Sequence, residues 1–350
     1  MLTPNPQIVF AKRPGTGLPV PGEHLVYDGS RSIDLSSVPL NGGFLTKTLM
    51  LSPEPFLPER MRDLSAQSYS TRAVVGAPMV GFGLVLVLRS EKEGPSFNFL
   101  HFVPSDHLYG LTHWEAFTVQ PYVPDPNGAY PWSRYFSALG GPGLTAFCGL
   151  EAYADAKKGE TIYISSGTSG VGSVLIQLVK VKGLRVIASA GSDTKVEYMR
   201  SLGADVPFNY KTTPVAAALK EHGPLDIFWD NVGGETVEAA LEYLRSRARF
   251  IMCGSISEYN VAPEDRYGIK NTNLIFKKRL RIQGLLVGEL MGTLGPRFIT
   301  EVPALMAQGK ITAKESYTEG LENAAEAFVA MLKEGRAEEL GKPVIIVAKE

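Results

Sequence analysis

From Gly140 onward, apolar runs of strand length alternate with longer amphipathic stretches, and this alternation restricts the fold more than any other feature of the chain. Such a pattern is the signature of strand–helix–strand units, which assemble into a parallel sheet with helices on its faces. The strands read as Thr161 to Ser165, Arg185 to Ala190, Leu225 to Asp230, Ala248 to Cys253 and Leu280 to Leu286, with helices in the gaps. The helix after the first strand runs from about Val171 to near Gly183, because Val174, Leu175, Leu178 and Val179 recur at helical spacing while the other face is polar.

Up to about Trp132 the texture differs. Short extended segments such as Gly43 to Leu51 and Val80 to Arg89 are broken by Pro and Gly clusters, which predicts a β-rich, barrel-like domain. The change of texture sets a boundary near Ser137. After Gln308 a strand-like piece, a helix from Leu321 to Lys333 and an apolar strand from Lys342 to Val347 are assigned back to the first domain. With 350 residues the chain exceeds the size at which one core stops growing, so the expectation is an α/β protein with a β-rich domain over 1–137, a parallel-sheet domain over 138–311 and a return over 312–350.

Several function classes are set aside by composition. The formal net charge is -1 and the basic residues are scattered, so no footprint for nucleic acid or an anionic membrane is expected. The longest apolar run, Met79 to Leu88, is too short to span a bilayer, and no basic segment followed by an apolar one marks a signal peptide; a cytosolic protein is expected. Cys148 and Cys253 stand far apart in no ligand-like spacing, which predicts buried free thiols rather than a disulfide or a thiolate metal site. His101, His107 and His113 are evenly spaced, but six-residue steps do not align on one helical face, so no metal site is expected.

The sharpest local signal is Ser165-Ser166-Gly167-Thr168-Ser169-Gly170-Val171-Gly172, between a strand and a helix. Small residues there let a backbone approach a pyrophosphate, and the N–H groups and positive dipole end of the helix stabilise its charge. Any tight strand-to-helix turn also favours glycine, and the spacing is not a strict G-x-G-x-x-G. At the end of the next strand an NAD site usually carries Asp or Glu for the ribose hydroxyls. This chain has Ala190-Gly191-Ser192-Asp193-Thr194-Lys195, in which Ser192 offers a hydroxyl and Lys195 a point charge for a 2′-phosphate, favouring NADPH. Two other readings stay open: Asp193 as the ribose acid, or Asp193 and Lys195 as a helix cap and a solvated charge.

Further on, Gly141-Pro142-Gly143-Leu144-Thr145-Ala146, Lys158-Gly159-Glu160-Thr161, Phe208-Asn209-Tyr210-Lys211, Asp230-Asn231-Val232-Gly233-Gly234 and Cys253-Gly254-Ser255-Ile256-Ser257-Glu258-Tyr259-Asn260 flank these two segments in order. Together they resemble the medium-chain dehydrogenase/reductase superfamily, in the zinc-free subgroup of leukotriene B4 12-hydroxydehydrogenase/prostaglandin reductases and alkenal double-bond reductases. The likeness is strong from Leu139 to Tyr259, resumes at Gly309-Lys310-Ile311, Glu319 to Asn323 and Leu340-Gly341-Lys342, and is thin before Leu139. It implies a Rossmann-type domain plus a GroES-like barrel, NADP(H) as cofactor and a homodimer.

The resemblance also implies roles. Ser169, Gly170, Val171 and Gly172 form the phosphate loop; Ser192, Lys195 and Tyr210 serve the 2′-phosphate end; Asn231 lies near the nicotinamide ribose, and the main chain at Cys253 and Gly254 passes the nicotinamide. Tyr259 matches the active-site tyrosine, and Phe56, Tyr259 and Phe276 are expected to face substrate. Each has a plainer alternative, with Tyr210 a surface aromatic, Asn231 a turn residue and Cys253 simple core. The chain departs from the family with Ser169 for a common Gly, Glu339 for a common Asn, and Glu54-Pro55-Phe56-Leu57-Pro58 where a tyrosine is usual. The activity implied is reduction of an enone or enal C=C bond. Alternatives are a ketoreductase, alcohol dehydrogenase or quinone reductase without zinc, or a nucleotide-sensing or lens-type structural protein without turnover.

Overall fold

The computed structural model describes residues 1–63, 70–91, 106–120, 132–333 and 340–349. They divide into two compact units: Arg134–Ser316 with Gly335–Lys342, and Met1–Ser133 with Tyr317–Glu334 and Pro343–Glu350.

The first of these is built on six strands, β1 (Thr161–Ile164), β2 (Arg185–Ala190), β3 (Val206–Asn209), β4 (Leu225–Asp230), β5 (Leu244–Met252) and β6 (Arg281–Gly284). They lie in the order β3-β2-β1-β4-β5-β6 and every pairing is parallel. That is the Rossmann order, in which the chain walks outward from β1 and then crosses to β4, so the loops after β1 and β4 part and leave a crevice at the C-terminal edge. The central strands β1, β2 and β4 are almost wholly buried because both faces are covered. Ile162, Ile164, Val186, Ala188, Ile227 and Trp229 feed the core on one face, while Tyr163, Ile187 and Phe228 feed the other. On the second face Phe208, Tyr163, Phe228 and Phe250 stack in series across the strands, with successive centroids 6.2, 5.2 and 4.7 Å apart.

Helix α1 (Gly170–Val181) follows β1 and buries Val174, Leu175, Leu178 and Val179, the residues whose spacing predicted it. Helices α2 (Asp193–Ser201), α3 (Gly234–Tyr243), α4 (Asn273–Lys278) and α5 (Val287–Ala307) complete the set used below. Strand β3 is absent from the sequence reading; it is four residues long, sits at the sheet edge and contains Pro207, so it carries neither an apolar run nor β-forming residues throughout. Strand β5 starts at Leu244 rather than Ala248, because exposed Arg245, Ser246 and Arg247 hide its first half, and its register against β4 shifts between Leu225 and Ile227. Strand β6 is shorter than the apolar run that announced it.

The other unit is β-rich. Phe44–Ser52 pairs antiparallel with Val80–Ser90, which pairs with His107–His113, while Phe117–Gln120 and Lys342–Ile346 both pair with Phe44–Ser52. Ile8, Phe10, Leu25, Leu51, Leu57 and Trp114 form its core with Phe328 of the helix Ala324–Leu332, whose ring meets Trp114 edge-on at 6.1 Å. Among the described residues no helix is long and apolar enough to cross a membrane.

Candidate functional site

At the end of β1 the chain turns through Ser165 to Thr168 into α1. Ser166 adopts a left-handed conformation with φ 53°, a strain of order 1 kcal/mol held by the packed loop. Ser169 is the N-cap: its Oγ accepts the Gly172 N–H at 3.0 Å and donates to the Ser166 carbonyl at 2.8 Å. Serine in place of the usual glycine is therefore a capping residue here. A Cβ on Gly172 would lie 2.4 Å from the Ser166 carbonyl oxygen and 2.9 Å from Gly167 Cα, so only glycine lets the helix approach its own loop. Gly170 and Val171 open the helix, where backbone N–H groups and the helix dipole favour negative charge.

Beside it, at the ends of β2 and β3, Gly191, Ser192, Lys195 and Tyr210 come together. The Tyr210 phenol lies 3.0 Å from where a Gly191 Cβ would stand, and the residue is 44% exposed. Ser192 caps α2, its Oγ accepting the Lys195 N–H at 3.4 Å. Asp193 is thus the first helical residue rather than the cap, and its carboxylate accepts from Asn209 Nδ2 at 2.9 Å.

Across the crevice, the ends of β4 and β5 carry Asn231, Cys253, Gly254 and Tyr259. Asn231 is fixed at both ends of its amide: Nδ2 donates to the Ser165 carbonyl at 2.7 Å, and Oδ1 accepts from Trp229 Nε1 at 3.3 Å. Burial pushes the Cys253 thiol up to about 12, which keeps it neutral. The Tyr259 hydroxyl accepts the Ser255 N–H at 3.2 Å and lies 2.8 Å from where a Gly254 Cβ would be. Glycine at 254 therefore makes room for that phenol.

Sequence reasoning gave no role to the residue that ties these loops together, Asp230, which is fully buried at the end of β4. Its Oδ1 accepts from Ser165 Oγ at 2.8 Å and Val232 N at 3.0 Å, and its Oδ2 from Gly233 N at 2.9 Å. Burial pushes this carboxyl up to about 6 against those hydrogen bonds, with the charge of Glu258 acting in the same direction as burial. The available signal was an acid closing the strand-like segment Leu225 to Trp229.

Two further substrate candidates were expected, Phe276 and Phe56. Phe276, on α4, is 71% exposed. Phe56 belongs to the β-rich unit, where it precedes the short helix Leu57–Met61 and meets Phe82 edge-on at 6.3 Å, with Phe82 stacked on Tyr109. His107 and His113 begin and end one strand; His101 and Glu339 lie outside the described residues. Among the described residues no group of three or more His, Cys, Asp or Glu is placed to hold a metal ion.

The chain is similar to several known proteins. A family model described as zinc-binding dehydrogenase matches residues 170–306. An NADP-dependent oxidoreductase of Cochliobolus heterostrophus is 35% identical over 359 residues, 98% of each chain. The NADP(+)-dependent 2-alkenal reductase of Nicotiana tabacum is 34% identical over 314 residues, 87% of this chain and 88% of its own. The crystal structure of CurA in complex with NADPH from Vibrio vulnificus matches with a TM-score of 0.84 and 29% identity, covering 99% of this chain and 100% of that one. The chain belongs to the medium-chain dehydrogenase/reductase superfamily, within the subgroup of leukotriene B4 12-hydroxydehydrogenase/prostaglandin reductases and alkenal double-bond reductases.

Proposed function

We propose that this chain is an NADPH-dependent oxidoreductase that reduces the C=C bond of α,β-unsaturated ketones and aldehydes. The residues present suit the cofactor: glycines at 172, 191 and 254, where a Cβ would meet the phosphate-loop backbone, Tyr210 and Tyr259 at 2.4, 3.0 and 2.8 Å, let the loop and the two phenols pack close to the sheet edge. Gly170, Val171 and the α1 N-terminus would hold the pyrophosphate, Lys195, Ser192 and Tyr210 the 2′-phosphate, and Asn231 with the main chain at Cys253 and Gly254 the nicotinamide half. Bound NADPH supplies the hydride that adds to the substrate Cβ.

The observation that carries the reading is the hydrogen bond into Tyr259. Its oxygen accepts the Ser255 amide, which orients the phenol and polarises its O–H toward donation to a substrate oxygen. Donation to the carbonyl oxygen of an enone draws electron density to that oxygen and makes Cβ electrophilic. The enolate that forms spreads its charge over oxygen and carbon, so a single neutral donor serves it better than it would serve an alkoxide. Phe56 and Phe276 are proposed to line the substrate, and the protein is proposed to act as a cytoplasmic homodimer on small molecules.

NADPH oxidation against a panel of enals, enones, quinones and saturated ketones, with products identified, tests this. Enals and enones should give saturated carbonyls. Conversion of saturated ketones to alcohols at a comparable rate would replace the proposal with carbonyl reduction.

A further inference from the structure

Asp230 joins three loops that the chain reaches separately. Its carboxylate holds Ser165, at the head of the phosphate loop, together with the amides of Val232 and Gly233. Its main-chain carbonyl accepts the amides of Cys253 and Gly254 at 2.9 and 3.1 Å. Ser165 passes the connection on, accepting the Asn231 N–H through Oγ at 2.8 Å and its Nδ2 through the carbonyl. The loop after β4 then holds the loop after β5: Asn231 and Val232 carbonyls accept the amides of Ile256 and Ser257, and Ser257 Oγ donates to the Val232 carbonyl at 2.6 Å. Gly233, at φ 84°, brings its backbone so near Ser255 that a Cβ would lie 2.7 Å from that side chain, and the Ser255 amide is the one bound to Tyr259.

We propose that Asp230, as a carboxylate, is the positioning residue that sets Asn231 and Tyr259 for the cofactor and substrate. It touches neither and acts through the Ser165–Asn231 pair and through the Gly233–Ser255–Tyr259 contacts. An acceptor on both oxygens suits this environment, since each oxygen faces a backbone N–H that can only donate, Val232 on Oδ1 and Gly233 on Oδ2. Protonation puts a donor where donors already converge, and an amide at 230 does the same permanently.

The titratable groups around Asp230 come from three places. Tyr163 on β1 has its phenol raised by burial, and the Cys253 thiol is pushed up to about 12, so both stay neutral in the working range. Glu258, in the loop after β5, is the charged neighbour, and its carboxylate oxygen lies 3.5 Å from the Gly233 Cβ position. The carboxylate form of Asp230 is therefore lost as pH falls through about 6. Removing the Ser165 hydroxyl takes away a bond to the charged form and moves that midpoint up; removing the Glu258 charge moves it down.

The proposal rests on the NADPH site of the preceding reading but not on its double-bond chemistry, so it is tested without an enone. Backbone amide NMR of the cofactor-free protein should show Val232 and Gly233 titrating near pH 6, with the midpoint higher in Ser165→Ala, lower in Glu258→Gln and absent in Asp230→Asn. NADPH affinity, read by cofactor fluorescence, should fall on the acid side with the same displacements, and Asp230→Asn should bind about tenfold more weakly at pH 7.5. The 2′-phosphate also titrates near 6, so the displacement between variants is the decisive quantity. Amides that do not titrate overturn the hub. Amides that titrate and shift while the affinity profiles of all four proteins coincide reduce Asp230 to a structural residue and overturn the positioning role. Failure of the enone panel alone refutes the double-bond reading and leaves this test standing.

Discussion

Replacing Gly172 with alanine tests the steric basis of the phosphate loop. The new Cβ would stand 2.4 Å from the Ser166 carbonyl oxygen, about 1 Å inside ordinary contact, and its other near neighbours are also backbone atoms of the loop. No side chain can swing away, so α1 or the loop must move. Overpacking of this kind costs about 1 to 3 kcal/mol, against which alanine in a helix returns at most about 1 kcal/mol over glycine. The net expectation is a loss of about 1 to 2 kcal/mol, or a melting midpoint several degrees lower for a unit of this size. If the α1 N-terminus holds the pyrophosphate as proposed, NADPH should bind more than tenfold more weakly, because the loop and the first turn of α1 are displaced. Gly292→Ala in α5 is the matched control: that glycine is exposed, with no heavy atom within 4 Å of its Cβ position, and alanine there should stabilise by about 0.5 to 1 kcal/mol. Calorimetry and equilibrium cofactor titration on both variants decide the matter. A Gly172→Ala protein with unchanged midpoint and affinity would refute the reasoning.

Two further substitutions separate the cofactor from the chemistry. Lys195→Ala should erase a charge-assisted contact worth roughly 1.5 to 3 kcal/mol, lowering the NADPH:NADH preference in kcat/KM roughly 10- to 100-fold, and an unchanged ratio would remove Lys195 from the 2′-phosphate site. Tyr259→Phe should lower kcat with an enone about tenfold, about 1.4 kcal/mol, while leaving NADPH affinity in place, and a loss confined to affinity would make Tyr259 a packing residue.

Much of the Rossmann unit was legible because parallel strands covered on both faces are written as apolar runs, and Arg185–Ala190 and Leu225–Asp230 match their readings end to end. Strand β3 was not, because an edge strand with Pro207 has no second buried face to impose a pattern. The long helix α5 runs through Pro296 and Pro303, residues that by local rules end a helix, so its extent is set by packing of Phe298 and Val302 rather than by propensity. In the candidate site, residue type and order marked the glycine-rich turn before α1 and singled out Lys195 and Tyr210 as candidates. The capping role of Ser169 and the hub at Asp230 were hidden, because each depends on which donors the fold brings within 3 Å, and sequence spacing does not encode that.

The central claim is the carbon that receives the hydride, and isotopic labelling reads it directly. NADPH deuterated at C4 on the transferred face, turned over with an enone, should give a saturated ketone carrying deuterium at Cβ by NMR and mass spectrometry. Deuterium on the carbinol carbon of an allylic alcohol would contradict the account.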